Sequence, residues 1–379
     1  MAQITLKSIA KSYRQKSGSD RAAVRDLNLQ VEDHEFLVLT GPARSGKSTL
    51  VRLIAGLEAA SAGDILIGER RVNDLPPKDR DVALVTGNYV PYPLMSVEQN
   101  MAFGLKRRKF PDSEIKKRVQ AAAEILGLEE LLQRKPAPLS PEQRQRLAIA
   151  RAVALQPKVF LFDEPTSGLD GDSRGGLRNE MLKLHQRVQA TMIYVTRDRG
   201  EGMALGGRIA VMNEGTIQQE GPASKLYHEP ATSFVAGFLG APGMNLVPGT
   251  LKLERDSLRF SEAGEGTIEL SLPASDFPGA QDFIGAPVVL GIRPEDMEVV
   301  ESTAGSAKLP GAFAALVDLI EPTGSETLVY LKTGANTLVC RSRQNLDNRE
   351  AGRRIHCQMD IKKTHLFDPV STRRLGPSA

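Results

Sequence analysis

The stretch that decides the fold reads Phe36-Leu-Val-Leu-Thr40, then Gly41-Pro42-Ala43-Arg44-Ser45-Gly46-Lys47-Ser48-Thr49. Its first five residues form a short apolar run of the kind a buried strand requires. The next eight match G-x-x-x-x-G-K-[ST] in full, and residues 48–57 carry helical periodicity. Strand, glycine-rich loop and helix in that order give the motif its structural context. The glycines let successive backbone N–H groups turn inward toward phosphate oxygens, and the helix N-terminus adds positive potential. On this reading residues 41–49 bind a nucleotide, Lys47 bridges its terminal phosphates and Ser48 holds Mg²⁺.

Val159-Phe-Leu-Phe-Asp163-Glu164 supplies the natural counterpart. An apolar strand that ends in Asp163 presents a carboxylate at the edge where the metal would sit. Glu164 then stands where a water could be polarised for attack. Residues 82–85 and 191–196 read as further buried strands, and 112–126, 142–155 and 176–186 as helices. Such alternation implies an α/β layer fold around a largely parallel sheet. After about residue 240 the character changes. Gly240, Pro242, Gly243 and Pro248 punctuate the chain. Short strand-like runs with Gly, Pro and Asn turns follow, the pattern of a small barrel or sandwich.

Composition narrows the class. The chain has 379 residues and a net charge of +3, with 41% hydrophobic and 25% charged residues. That balance is ordinary for a globular protein and gives no ground for a nucleic-acid partner. No run approaches the ~18 apolar residues of a membrane span, and the first residues alternate like a strand instead of forming a signal-peptide core. Two cysteines, Cys340 and Cys357, are too few for a disulfide framework or zinc cluster.

Beyond the two phosphate motifs, residues 88–105 and 139–152 resemble the ATPase subunits of ABC importers. The likeness is strongest to the carbohydrate-importer subfamily, typified by the maltose and glycerol-3-phosphate importer ATPases. Subfamily segments include 70–81 (RRVNDLPPKDRD), 234–245 (FVAGFLGAPGMN), Gly291-Ile-Arg-Pro-Glu295-Asp and Thr364-His-Leu-Phe-Asp368. The resemblance implies a P-loop NTPase cassette over residues 1–240, with a helical subdomain at about 88–157. An all-β, OB-like regulatory domain would follow over 241–379.

It also implies ATP and Mg²⁺ as cofactors, with Lys47 and Glu164 catalytic and Ser48 and Asp163 on the metal. Tyr13 matches the aromatic residue that stacks on adenine. Ser140 and Asp170 would lie at the seam of a cassette dimer, whether homodimer or heterodimer. Partners would be integral-membrane permease subunits, met through residues 89–103, and indirectly an extracytoplasmic solute-binding protein. The location would be peripheral, on the cytoplasmic face of the cell membrane.

Three motifs depart from the family pattern, and each would touch the γ-phosphate or its water. Gly87 stands where the family has a Q-loop glutamine. Leu139-Ser140-Pro141-Glu142-Gln143 replaces Leu-Ser-Gly-Gly-Gln. Pro141 removes an N–H donor, and Glu142 brings a carboxylate to a place where phosphate docks. As a helix start the new sequence is the better one: Ser140 can cap, Pro141 suits the first position, and Ser-x-x-Gln forms a capping box. Arg197 replaces the switch histidine; it keeps a cation but not a neutral imidazole's dual hydrogen bonding. Three readings are therefore open. The chain is the energy-coupling ATPase of a carbohydrate, polyol or glycerol phosphate importer with impaired hydrolysis. Alternatively it is a non-hydrolysing ATP-binding partner or regulatory subunit paired with an intact cassette, or a soluble regulator acting through the second domain.

Overall fold

The computed structural model describes residues 2–14, 20–300, 309–334, 336–342 and 351–376. They divide into two compact units, Met1–Ala223 and Ser224–Ala379. The division falls ahead of residue 240, so the short helix Ser233–Phe238 belongs with the second unit.

The first unit contains two sheets. One is antiparallel and joins β1 (Ile4–Arg14), β2 (Asp20–Val31), β4 (Ala62–Ile67) and β5 (Arg70–Arg71) in the order β2-β1-β4-β5. The sequence reading of a largely parallel sheet did not foresee it. Only the start of β1 alternates cleanly, and register shifts interrupt its pairing with β2 beyond Leu6. The other sheet is the expected one. It orders β10 (Thr216–Pro222), β9 (Arg208–Asn213), β3 (Phe36–Thr40), β8 (Thr191–Thr196), β7 (Val159–Asp163) and β6 (Val82–Thr86). Its strands run parallel except for β10. β3 and β8 are buried at every position, as strands covered on both faces must be.

Helix α1 (Lys47–Ala55) packs Leu50, Val51, Leu53 and Ile54 into the core between the sheets. Next come α2 (Val97–Arg107), α3 (Asp112–Leu126) and α4 (Pro141–Leu155), which pack on one another as a helical subdomain. α5 (Gly171–Val188) and α6 (Arg199–Ala204) flank β8 in sequence. Residues 129–131 form a single 3₁₀ turn after α3. None of the helices among the described residues is long and apolar enough to cross a membrane.

Helix α7 (Ala223–His228) starts at the boundary, and α8 (Ser233–Phe238) follows in the second unit. Two antiparallel five-stranded sheets follow. The first orders β13 (Glu269–Pro273), β12 (Ser257–Glu262), β11 (Asn245–Glu254), β14 (Pro287–Ile292) and β20 (His365–Phe367). The second orders β15 (Met297–Val300), β19 (Arg354–Met359), β16 (Ala312–Pro322), β17 (Thr327–Lys332) and β18 (Thr337–Ser342). One apolar cluster, including Leu251, Phe260, Leu290, Val317, Leu331 and Leu366, lies across both sheets. Arg293 is buried here, and its cost is offset by bonds to the carbonyls of Tyr227, Ala236 and Leu239 and by the Tyr227 ring 3.8 Å away. That pairing gives the Gly291-Ile-Arg-Pro-Glu295 motif a structural reason: it fastens α7 and α8 to the barrel.

Candidate nucleotide site

The C-terminal ends of β3 and β7 place the two phosphate motifs side by side. Residues 41–46 turn sharply between β3 and α1. Gly41 and Gly46 take φ of 151° and 103°. A side chain at either would strike backbone: a Cβ at Gly41 lies 2.1 Å from the Met212 carbonyl oxygen, and one at Gly46 lies 2.3 Å from that of Ala23. Only glycine permits the loop to lie this close to its neighbours.

Lys47 is 4% exposed. Its Nζ donates to the carbonyls of Gly41 (2.9 Å) and Pro42 (2.7 Å) and to Ser45 Oγ (2.9 Å). The ammonium thus lies inside the loop's own curve. Burial pulls its pKa from the ordinary 10.5 down to about 8, against the opposing charges of Glu164 and Asp163. A base whose folded pKa is depressed costs stability while charged. That cost is full below pH 8 and relieved as the pH rises toward 10.5.

Ser48 Oγ donates to Asp163 Oδ1 at 2.8 Å, so the two proposed metal oxygens converge from α1 and β7. Next to them Glu164 sits in the left-handed region, with φ of 50°. An open cavity of about 590 Å³ runs along this edge, bounded by Tyr13, Ala43, Lys47, Thr49, Glu164 and Arg197. Tyr13 is 39% exposed; its hydroxyl bonds to Glu58, and Lys11 lies 5.1 Å from its ring. The fold therefore brings Tyr13, residues 43–49 and Glu164 around one space, with Asp163 bonded to Ser48 at its edge.

The altered positions have partners of their own. Arg197 Nη2 and Nε lie 2.5 and 2.7 Å from Glu164 Oε2. The cation expected at the family's switch-histidine position is thus paired to the carboxylate expected to handle water. Gly87 donates its N–H to the Asp163 carbonyl. The space for a side chain there is already filled, since a Cβ would meet Ser167 Oγ at 2.0 Å and the Glu164 carbonyl at 2.2 Å. Gln145, buried on α4, reaches the neighbouring Thr86 carbonyl.

At the head of α4 the capping box is formed in both directions. Ser140 Oγ accepts from Gln143 N (3.1 Å), and Ser140 N donates to Gln143 Oε1 (3.0 Å), with Pro141 in the first turn. Glu142 turns onto its own helix and α5: Oε1 accepts from Arg146 (2.9 Å) and Oε2 from Ser173 Oγ (3.4 Å). Arg146 also reaches Glu180 at 2.5 Å. Asp170 caps α5, accepting from the Ser173 N–H and competing with Glu142 for the single Ser173 hydroxyl proton, and these bonds hold its carboxyl below the usual range. Ser173 therefore bridges Asp170 and Glu142. The sequence reading did not single out Ser173, Gln145, Glu180 or Glu201, because none belongs to a short motif.

Sequence comparison agrees with this geometry. The family model described as "ABC transporter" matches residues 24–167, "MalK OB fold domain" matches 240–297 and "TOBE domain" matches 290–367. The chain is 44% identical to the uncharacterized ABC transporter ATP-binding protein YurJ of Bacillus subtilis, over 97% of each chain. It is 43% identical to the oligosaccharides import ATP-binding protein MsmX of the same organism, over 99% of this chain and 100% of that one. It is also 43% identical to the trehalose/maltose import ATP-binding protein MalK of Thermococcus litoralis, over 93% and 95%. Among solved structures it is similar to the dimeric ATP-binding cassette MJ0796 in a post-hydrolysis state with ADP and Pi. There the TM-score is 0.52 at 28% identity, covering 58% of this chain and 98% of that one. The chain belongs to the ATP-binding proteins of ABC transporters.

Proposed function

We propose that the chain is the energy-coupling subunit of an ABC importer for carbohydrates or related polyols and glycerol phosphates, and that it turns ATP over slowly. Relatives named for oligosaccharide and trehalose/maltose import, matched nearly end to end, support the substrate class. The observation that carries the slow turnover is the ion pair between Arg197 and Glu164.

In this reading ATP lies in the cavity beside residues 41–49, its adenine against Tyr13. Its phosphates take the backbone N–H groups of the loop and draw the Lys47 ammonium off the Gly41 and Pro42 carbonyls. Ser48 and Asp163 would hold Mg²⁺. One hydroxyl and one carboxylate suit an ion that draws its other ligands from phosphate and water. No cluster of three acidic, His or Cys ligands is found among the described residues. When bound, the ion neutralises charge on the phosphates. Glu164 would then orient the attacking water in line with the γ-phosphate. To do so it must leave Arg197. Gly87 offers no side chain to that water, and Pro141 no N–H to a partner's phosphate.

The cassettes would pair through Ser140 and Asp170. Permease subunits would meet residues 89–103, where Val90 and Leu94 are 80% and 83% exposed while buried Asn100 braces the loop through Tyr92, Met95 and Ser96. In this reading the chain would lie peripherally on the cytoplasmic face of the membrane. The same ion pair favours a second reading, in which the chain binds ATP without hydrolysing it and pairs with an intact cassette. Measuring ATP retention and single-turnover hydrolysis on the purified chain separates the two. Retained ATP that is slowly converted supports the first, and retained ATP that stays intact the second.

A further inference from the structure

Glu201 is 7% exposed, a carboxylate buried on α6. Burying it is costly unless charged hydrogen bonds replace water. It receives three. Oε1 accepts from Thr166 Oγ1 at 2.9 Å and Tyr194 Oη at 2.7 Å, and Oε2 accepts from Thr196 Oγ1 at 2.5 Å. The three hydroxyls come from three places: the loop that leads to Asp170, the interior of β8, and the end of β8 beside Arg197.

The turn that carries Arg197 is fixed at further points. Asp198 N donates to Thr196 Oγ1 at 3.0 Å, and Glu201 N donates to Asp198 Oδ1 at 2.8 Å. Arg174 of α5 lies 3.5 Å from Asp198 Oδ2. Thr166, Arg174, Thr196, Asp198 and Glu201 line a cavity of about 350 Å³ that shares Glu164 and Arg197 with the larger one. Thr166 and Arg174 flank Asp170 in sequence, and Thr196 and Asp198 flank Arg197. Glu201 and Arg174 therefore join the seam loop and α5 to the Arg197 turn, in addition to the Arg197–Glu164 pair itself.

We propose that Glu201 is a positioning residue: it holds Arg197 against Glu164 and couples that pair to the loop of Asp170. The inference rests on the roles given above to Glu164 and Arg197. It predicts that the state of the seam reaches the water-handling carboxylate through a second carboxylate, buried on α6.

The test uses the full chain with Glu201→Gln and Thr166→Val, each close to the parent in volume. Amide hydrogen exchange is measured first. Losing the single Thr166 bond should quicken exchange both in residues 164–170 and in 196–200, while α2 and α3 stay as in the parent. Exchange that rises only in 164–170, or throughout the cassette, overturns the coupling. ATP turnover is the second readout. A purely structural role would lower kcat on mutation. The proposal requires Glu201→Gln to raise kcat about two- to fivefold with KM for ATP unchanged, because a partly exposed ion pair is weakened. It also requires no further rise when Arg197→Ala is already present. An additive effect, or a fall in kcat, overturns it. Thr166→Ser, which keeps the hydroxyl, should match the parent. If the parent shows no turnover, the ATPase reading fails while hydrogen exchange still decides the coupling.

Discussion

Arg197→Ala separates two roles for a cation beside the γ-phosphate. If Arg197 stabilised charge on the transferring phosphoryl group, removing it would cost about 10³-fold or more in turnover. If it restrains Glu164, removing it raises turnover. The size follows from the pair. Two unit charges with centres about 4 Å apart attract by about 4 kcal/mol at an effective dielectric of 20. The Arg197 side chain is 55% exposed and that of Glu164 22%, so solvent screens most of this. About 1 kcal/mol remains. Freeing the carboxylate of that cost raises the fraction able to orient water, and therefore kcat, about fivefold. Steady-state phosphate release at saturating MgATP reads the effect, with Glu164→Gln in both backgrounds as the control. An unchanged or lower kcat for Arg197→Ala refutes the restraint.

Three further outcomes are expected. The affinity for ATP should fall as the pH passes about 8, because Lys47 loses its proton there and not near 10.5; titrations with a fluorescent ATP analogue from pH 7 to 9.5 measure it, and Lys47→Met should flatten the slope. Ser140→Ala removes one half of the α4 capping box and should cost about 1 kcal/mol, lowering the cassette's thermal midpoint by about 2–4 °C. Gly87→Ala should destabilise the cassette by about 1–3 kcal/mol, because its Cβ meets the Glu164 carbonyl and Ser167; a denaturation midpoint equal to the parent's would show that the loop yields freely.

Much of the parallel core was legible because its strands are short apolar runs, and β3 and β7 each end in a chemical motif. The nucleotide loop was legible residue by residue, since glycine spacing, Lys47 and Ser48 follow from what phosphate requires. The antiparallel sheet of β1, β2, β4 and β5 was not. Register shifts and partly exposed stretches such as 10–14 blur its alternation. The capping box at Ser140 could be read from four residues because its bonds are local. The fate of Glu142 could not, since Ser173 and Glu180 come from another helix. Glu201 carried no signal for the same reason: its three partners lie at 166, 194 and 196, and only folding brings them together.

The most direct test is a single-turnover experiment on the purified full-length chain with radiolabelled MgATP. The account predicts that ATP is retained, that Lys47→Ala weakens retention, and that bound ATP is converted slowly in a Glu164-dependent step which Arg197→Ala accelerates. Failure to retain ATP, or conversion indifferent to both Glu164 and Arg197, would contradict it.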